Sequence, residues 1–326
     1  MFEKILLPLD GSILAEVAVP YVAILARKMG AEVTLLHVCP PGQQPYRYMR
    51  QVYLENVAGR LQSSIRRGNT GKLRTMVRVK VLVGDPADVI SDYTNRSRIP
   101  LVVMAAFGGS GRKTWLLGSV ADKVVRAVSS MVFVVRSKNG NPPEERPHIR
   151  RIFLPLDGSE VSKQALPYGL EIARKFKAGI TLFGMAEKAA FYSSLISFVP
   201  YSDGMSSKYD RMDIAAKRTV YHYLSSLEKE ARQEGFHVSH RVTLGVAPAD
   251  DILQQAHKAR ADLVIMATRG RSPLSRWAFG SVAEKVLRGG DLPLLLVKEP
   301  MASSSDSASL ITGMEPQESG LSLAVL

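Results

Sequence analysis

Ile5-Leu6-Leu7-Pro8-Leu9-Asp10-Gly11-Ser12 returns later in the chain as Ile152-Phe153-Leu154-Pro155-Leu156-Asp157-Gly158-Ser159, identical at seven of eight positions. Each copy is a short apolar run stopped by Asp-Gly-Ser, the pattern of a buried strand breaking into a turn. Gly118-Ser119-Val120-Ala121-Asp122-Lys123-Val124-Val125-Arg126 likewise returns as Gly280-Ser281-Val282-Ala283-Glu284-Lys285-Val286-Leu287-Arg288, at seven of nine positions. Pro86-Ala87-Asp88 returns as Pro248-Ala249-Asp250. A 326-residue chain written as one unit twice predicts two domains. The boundaries are expected at 1–137 and 150–299. A Gly/Pro-rich linker falls at 138–149, and a serine-rich tail without Lys or Arg, expected to be disordered, at 300–326.

Each unit alternates strands with helices. Strands are expected near 3–9, 32–38, 73–83, 101–106 and 131–135, with helices near 13–29, 50–67, 87–97 and 118–128. The second unit repeats the plan, with strands near 151–156, 180–185, 237–244, 262–267 and 293–297 and a long helix near 209–234. Runs such as Leu101-Val102-Val103-Met104 have no polar face, as parallel strands covered on both sides require. The expected fold class is α/β: two tandem open five-stranded parallel sheets flanked by helices and Rossmann-like. Each unit ends in an apolar strand, Met131–Val135 or Leu292–Val297. A bare edge of this kind invites pairing, so the two units are expected to pack as a pseudo-two-fold pair; a homodimer would bury the same edge.

Composition excludes several classes. No apolar stretch approaches the ~20 residues of a membrane helix, and no signal peptide is expected. The single cysteine, Cys39, rules out an internal disulfide framework and fits a reducing cytoplasm. His237 and His240 fall in an expected strand, where residues three apart face opposite sides, so no metal site is expected. The formal charge is +13, and the segment 47–80 holds nine basic residues against Glu55 alone. Two readings of that segment stand side by side: a solvated helix with a guarded edge strand, or a dock for an anionic partner.

In an open parallel sheet, ligands sit beyond the carboxyl ends of the strands where the winding order reverses. Asp10 and Asp157 follow the first strand of each unit. Ala105, Gly108, Gly118 and Ser119, and Ala267, Gly270, Gly280 and Ser281, span from the fourth strand to the last helix. Glycines let backbone approach an anion, and a helix N-terminus offers free N–H groups, so a nucleotide phosphate suits the place. Serines that merely cap the helix suit it too. Arg269, Arg271 and Arg276 could meet phosphates or face solvent. The apolar insert 191–201 predicts either a lid over the second site or a cover for the domain interface.

These residues resemble universal stress protein domains of the UspA-like class. That family's nucleotide-binding members carry Gly-x-x-Gly, nine residues, then Gly-Ser or Gly-Thr. Here the pattern reads Ala105-x-x-Gly108 to Gly118-Ser119, and Ala267-x-x-Gly270 to Gly280-Ser281, with alanine at the first glycine in both units. The opening Pro-x-Asp-Gly-Ser and the Gly-Asp-Pro-Ala turn at 84–87 match as well, and the likeness covers about 1–136 and 150–298. The resemblance implies an adenine nucleotide alpha hydrolase-like fold. It also implies an adenine nucleotide, usually ATP with or without Mg2+, held by Pro8, Asp10, Val38, Ala105, Gly108, Gly118, Ser119 and Val120. In the second unit the holders are Pro155, Asp157, Met185, Ala267, Arg269, Gly270, Gly280, Ser281 and Val282. Asp10 and Asp157 would lie near the adenosine, and Val38 and Met185 beside the base. The function implied is stress sensing or regulation. A ligand-free interaction module of the same fold is the alternative. No Walker loop or catalytic base is present, so no enzyme beyond weak ATP hydrolysis is expected.

Overall fold

The computed structural model describes residues 2–42, 44–67, 75–107, 117–136, 147–189, 203–268 and 279–298. The first half runs β1 (Lys4–Pro8), α1 (Ile13–Glu16), α2 (Val19–Met29), β2 (Glu32–Cys39), α3 (Arg47–Arg66), β3 (Val77–Val83), α4 (Pro86–Arg96), β4 (Leu101–Ala105), α5 (Ser119–Ala127) and β5 (Met131–Val135). The second runs β6 (Arg151–Pro155), α6 (Glu160–Lys163), α7 (Ala165–Phe176), β7 (Gly179–Glu187), α8 (Asp203–Gln233), β8 (Val238–Gly245), α9 (Pro248–Lys258), β9 (Leu263–Ala267), α10 (Ser281–Gly289) and β10 (Leu294–Val297). The expected helix 13–29 is two helices. Pro20 has no N–H to continue the ladder and its ring crowds the carbonyl four residues back, so the first turn stops at Glu16.

The two sheets are one. Strand order is β3-β2-β1-β4-β5-β10-β9-β6-β7-β8. Each half is parallel within itself, and β5 pairs β10 antiparallel, with Phe133 opposite Leu295. The apolar edge strands thus cover each other, which gives the pseudo-two-fold pair. Along each strand, side chains alternate between two cores. Leu101, Val103 and Ala105 join the helices α2, α3, α7 and α8, while Val102 and Met104 join α4, α5, α9 and α10. That double coverage is why the strands read as unbroken apolar runs. The outer strand β3 buries Val81 and exposes Arg78 and Lys80, charges that guard a free edge.

A four-membered ionic cluster crosses the junction. Arg126 on α5 donates to its own Asp122 at 3.2 Å and to Glu284 on α10 at 2.9 Å. Arg288 on α10 mirrors this, donating to its own Glu284 at 3.1 Å and to Asp122 at 3.0 Å. Arg136, past β5, donates to Leu287 O, and Lys298, past β10, to Val128 O, so each half clasps the end of the other's last helix. Burial opposes ionisation of Glu284, but hydrogen bonds from Arg288 and Arg126 outweigh it and hold the carboxyl below its ordinary value. A depressed carboxylate contributes stability above its unfolded value, and that contribution disappears as pH falls through the folded value. Glu284→Gln is therefore expected to lower stability by on the order of 1 kcal/mol at pH 7, less at high salt. Denaturant titrations should show the gap between variant and parent closing as pH falls toward 3.

Candidate functional site

The winding order reverses between β1 and β4 in the first half and between β6 and β9 in the second, pairs that are direct neighbours in the sheet. Asp10 follows β1, and α5 begins after the loop leaving β4, so both flank one crevice; Asp157 and α10 flank the other. Because the halves meet antiparallel, the two crevices open at opposite edges of the sheet. Pro8 and Pro155 close β1 and β6, and Val38 and Met185 lie near the ends of β2 and β7. Gly108, Arg269 and Gly270 lie outside the described residues, as do Arg271, Arg276 and the insert 191–201.

The repeated Asp-Gly-Ser builds a turn. Asp10 Oδ1 accepts from Ser12 N at 2.9 Å and Ser12 Oγ at 2.6 Å, and Ser12 Oγ accepts from Ala15 N to cap α1. Asp157 and Ser159 repeat both distances. Gly11 and Gly158 sit between them at φ 89° and 85°, in the left-handed region where a side chain is strained. One oxygen of each aspartate is thus committed to the fold.

Gly118 and Gly280 are different. They are the N-caps of α5 and α10, at φ −60° and −64°, an ordinary extended conformation open to any residue. Neither helix has a side-chain cap bond, because Ser119 and Ser281 are the first helical residues rather than the caps. The cap-only role for these serines fails on that geometry. The amides of Gly118 and Gly280 are used by Ala106 O and Thr268 O, at 2.8 and 2.7 Å. The N–H groups of the next residues, Val120 and Val282 among them, open the helices and have no intrahelical acceptor. Ala105 and Ala267, at the first-glycine positions, are buried, and the Ala105 side chain packs in the α2–α3 core.

The two crevices are not equal. His37 is buried in β2 and its Nδ1–H donates to Leu9 O at 2.8 Å, pinning the turn that carries Asp10. At the matching position β7 has Gly184, where a Cβ would meet Val220 Cγ1 at 2.5 Å, so α8 packs closer there. Arg50 on α3 lies against the first turn, its Nη1 2.9 Å from where a Cβ on Gly11 would stand. Near the end of β8, Asp251 lies against Gly245, where the first half has Val89. Burial, then Asp250, pushes the Asp251 carboxyl up. Sequence reasoning missed Arg50, which sits in the first turn of α3 within a basic run. It also missed the junction role of Asp122, Arg126, Glu284 and Arg288, although the repeated acid and arginine four residues apart was a usable signal.

Burial holds His37 below the ordinary 6.5, with Arg50 adding to this against the opposing Leu9 bond and Asp10. The unfolded chain therefore takes up a proton first, and stability tied to His37 is complete above about 6.5 and lost as pH falls through the folded value. Stability of the parent is expected to fall more steeply from pH 7 to 5 than that of His37→Gln, as urea midpoints would record.

Among the described residues no group of three or more His, Cys, Asp or Glu is placed to hold a metal, and no helix is long and apolar enough to cross a membrane.

Comparison with known proteins places this architecture. The universal stress protein family model matches residues 1–136 and 148–298, and the chain belongs to that family. A universal stress protein of Methanocaldococcus jannaschii, MJ0531, is 30% identical over 151 residues, covering 46% of this chain and 83% of that one. A tandem-length relative, Rv2005c of Mycobacterium tuberculosis, is 24% identical over 305 residues, covering 89% of this chain and 95% of its own. The crystal structure of a universal stress protein from Archaeoglobus fulgidus superposes with a TM-score of 0.62 at 20% identity, covering 91% of this chain and 97% of that chain.

Proposed function

We propose that each half binds an adenine nucleotide, ATP foremost, and that the chain acts as a nucleotide-responsive regulator of a stress response rather than as an enzyme. One observation carries the reading: a glycine stands at the N-cap of both α5 and α10 where the backbone angle does not demand one. A missing side chain that torsion does not require leaves room for a ligand to approach the free N–H groups. In this reading Pro8, Asp10, Val38, Ala105, Gly108, Gly118, Ser119 and Val120 line the first site. Pro155, Asp157, Met185, Ala267, Arg269, Gly270, Gly280, Ser281 and Val282 line the second. Arg50 supplies a cation at the first. Mg2+ would enter with the triphosphate, since among the described residues no protein cluster is placed to hold it. The single, buried Cys39 thiol suits a reducing cytoplasm. Domain limits of 1–137 and 150–299 go with this assignment.

Mass analysis of small molecules released from the purified, denatured protein tests the reading, followed by titration with ATP, ADP and cyclic AMP. An adenine nucleotide at up to two per chain is the expected result. Empty protein that binds none of the three would leave the ligand-free interaction module as the better account. An anionic partner for segment 47–80 has less support, because Arg60 and Arg78 already pair with Glu16 and Glu32.

A further inference from the structure

We infer that Asp251 sets base recognition in the second crevice: its carboxylate accepts a hydrogen bond from the exocyclic amino group of adenine, a side-chain contact with no counterpart in the first. The inference rests on the nucleotide reading above and adds a specificity-determining residue to one of its two sites.

The ends of the outer strands are where the halves diverge in chemistry. Val38 of β2 stands in register with Leu82 of β3, and Val89 of α4 lies against Gly84 just beyond them. In the second half Met185 of β7 stands in register with Thr243 of β8, and Asp251 of α9 lies against Gly245. Two apolar side chains, Leu82 and Val89, are thus exchanged for a hydroxyl and a carboxylate at matching places. A Cβ on Gly245 would clash with Asp251 Oδ2 and stand 3.0 Å from Met185 Sδ, so the carboxylate fills the space a side chain at 245 would take. Gly245 has no positive φ; the glycine makes room for the aspartate and serves no torsional need.

The fold itself does not use these polar groups. Thr243 Oγ1 is buried with no hydrogen-bond partner. Among the described residues no hydrogen bond engages the Asp251 carboxylate, and Asp250 and Lys258 act on it only through space. Unpaired polar groups in a covered place cost stability, and leucine and valine fill the same place in the first half without that cost. A ligand that donates to the carboxylate accounts for the exchange.

Distance along the rim decides which part of the ligand arrives there. Gly280 N donates to Thr268 O just past β9, which fixes the first turn of α10 at that strand's end. From there the sheet runs β9-β6-β7-β8, while the opposite direction is closed by β10. At about 4.8 Å per strand, β8 ends roughly 14 Å from the phosphate grip, about as far as an extended nucleotide carries its base. An ionised carboxylate accepts and cannot donate, and it repels phosphate, so at this end it meets a donor on the base. Adenine offers its exocyclic amino group, and its ring nitrogens only accept.

Calorimetric titration of the full-length protein with ATP and with purine riboside triphosphate, which lacks only the amino group, tests this. The preference for ATP should be at least about tenfold greater at the second crevice than at the first. Asp251→Val installs the residue of the first half. It should weaken ATP at the second crevice about tenfold, leave purine riboside triphosphate there unchanged, and leave the first crevice as it was. Asp251→Asn keeps an acceptor and should recover part of the preference. An ATP preference untouched by Asp251→Val, or an equal loss of both ligands, overturns the inference while the nucleotide reading stands. Protein that binds neither ligand overturns that reading and this inference with it.

Discussion

ATP affinity should fall at least tenfold when Gly118 and Gly280 are both replaced by valine, with the circular dichroism spectrum unchanged. The backbone at both glycines already has φ near −60°, which valine accepts, so the substitution is a test of space and not of torsion. The branched side chain would stand between the ligand and the first free N–H groups of α5 and α10. Each charge-assisted hydrogen bond lost to phosphate is worth roughly 1.5–3 kcal/mol, which is tenfold or more in Kd. Undiminished binding by the folded double variant would sink the phosphate assignment. Asp10→Ala and Asp157→Ala are less clean probes, since each also removes the acceptor of two hydrogen bonds that shape the turn.

Phe133→Ala should cost about 3–5 kcal/mol of unfolding free energy, the largest loss expected from a single substitution here. Phe133 is fully buried in β5, faces Leu295 across the junction and packs its ring 5.7 Å from Tyr21. It therefore supports the core of one half and the seam to the other at once. Urea unfolding checks both. A lower midpoint with a single transition is expected, and a loss under 1 kcal/mol would mean that the seam repacks around the cavity.

Most of the fold was legible because the repeat exposes it. Two copies of Asp-Gly-Ser past an apolar strand, and two of Gly-Ser opening a helix, are short-range patterns set by turn and cap chemistry. The seam between β5 and β10 was legible as an apolar edge that needed a partner. Its antiparallel register, which fuses two sheets into one, depends on contacts 160 residues apart that no local pattern encodes. At the crevices, residue types were legible and their division of labour was not. The same Gly-Ser-Val-Ala-Asp/Glu-Lys-Val-Val/Leu-Arg stretch builds the junction with Asp122, Arg126, Glu284 and Arg288 and, under the proposed function, offers its first turn to the ligand. Helical geometry separates those roles by face, and sequence order interleaves them. Arg50 escaped notice because its reach to Gly11 is a tertiary accident of where α3 crosses β2.

Joining the two halves in one polypeptide has a consequence for inheritance. A symmetric pair of identical chains must change both pockets with every mutation. A tandem chain keeps the same seam, independent of protein concentration, yet lets one pocket drift while the other is held. The drift is visible here as His37 against Gly184, Ala106 against Thr268, and Val89 against Asp251. Under the proposed function, one molecule of this design would register two different ligand levels on opposite rims, with its response to either a property of a single gene product rather than of an assembly equilibrium.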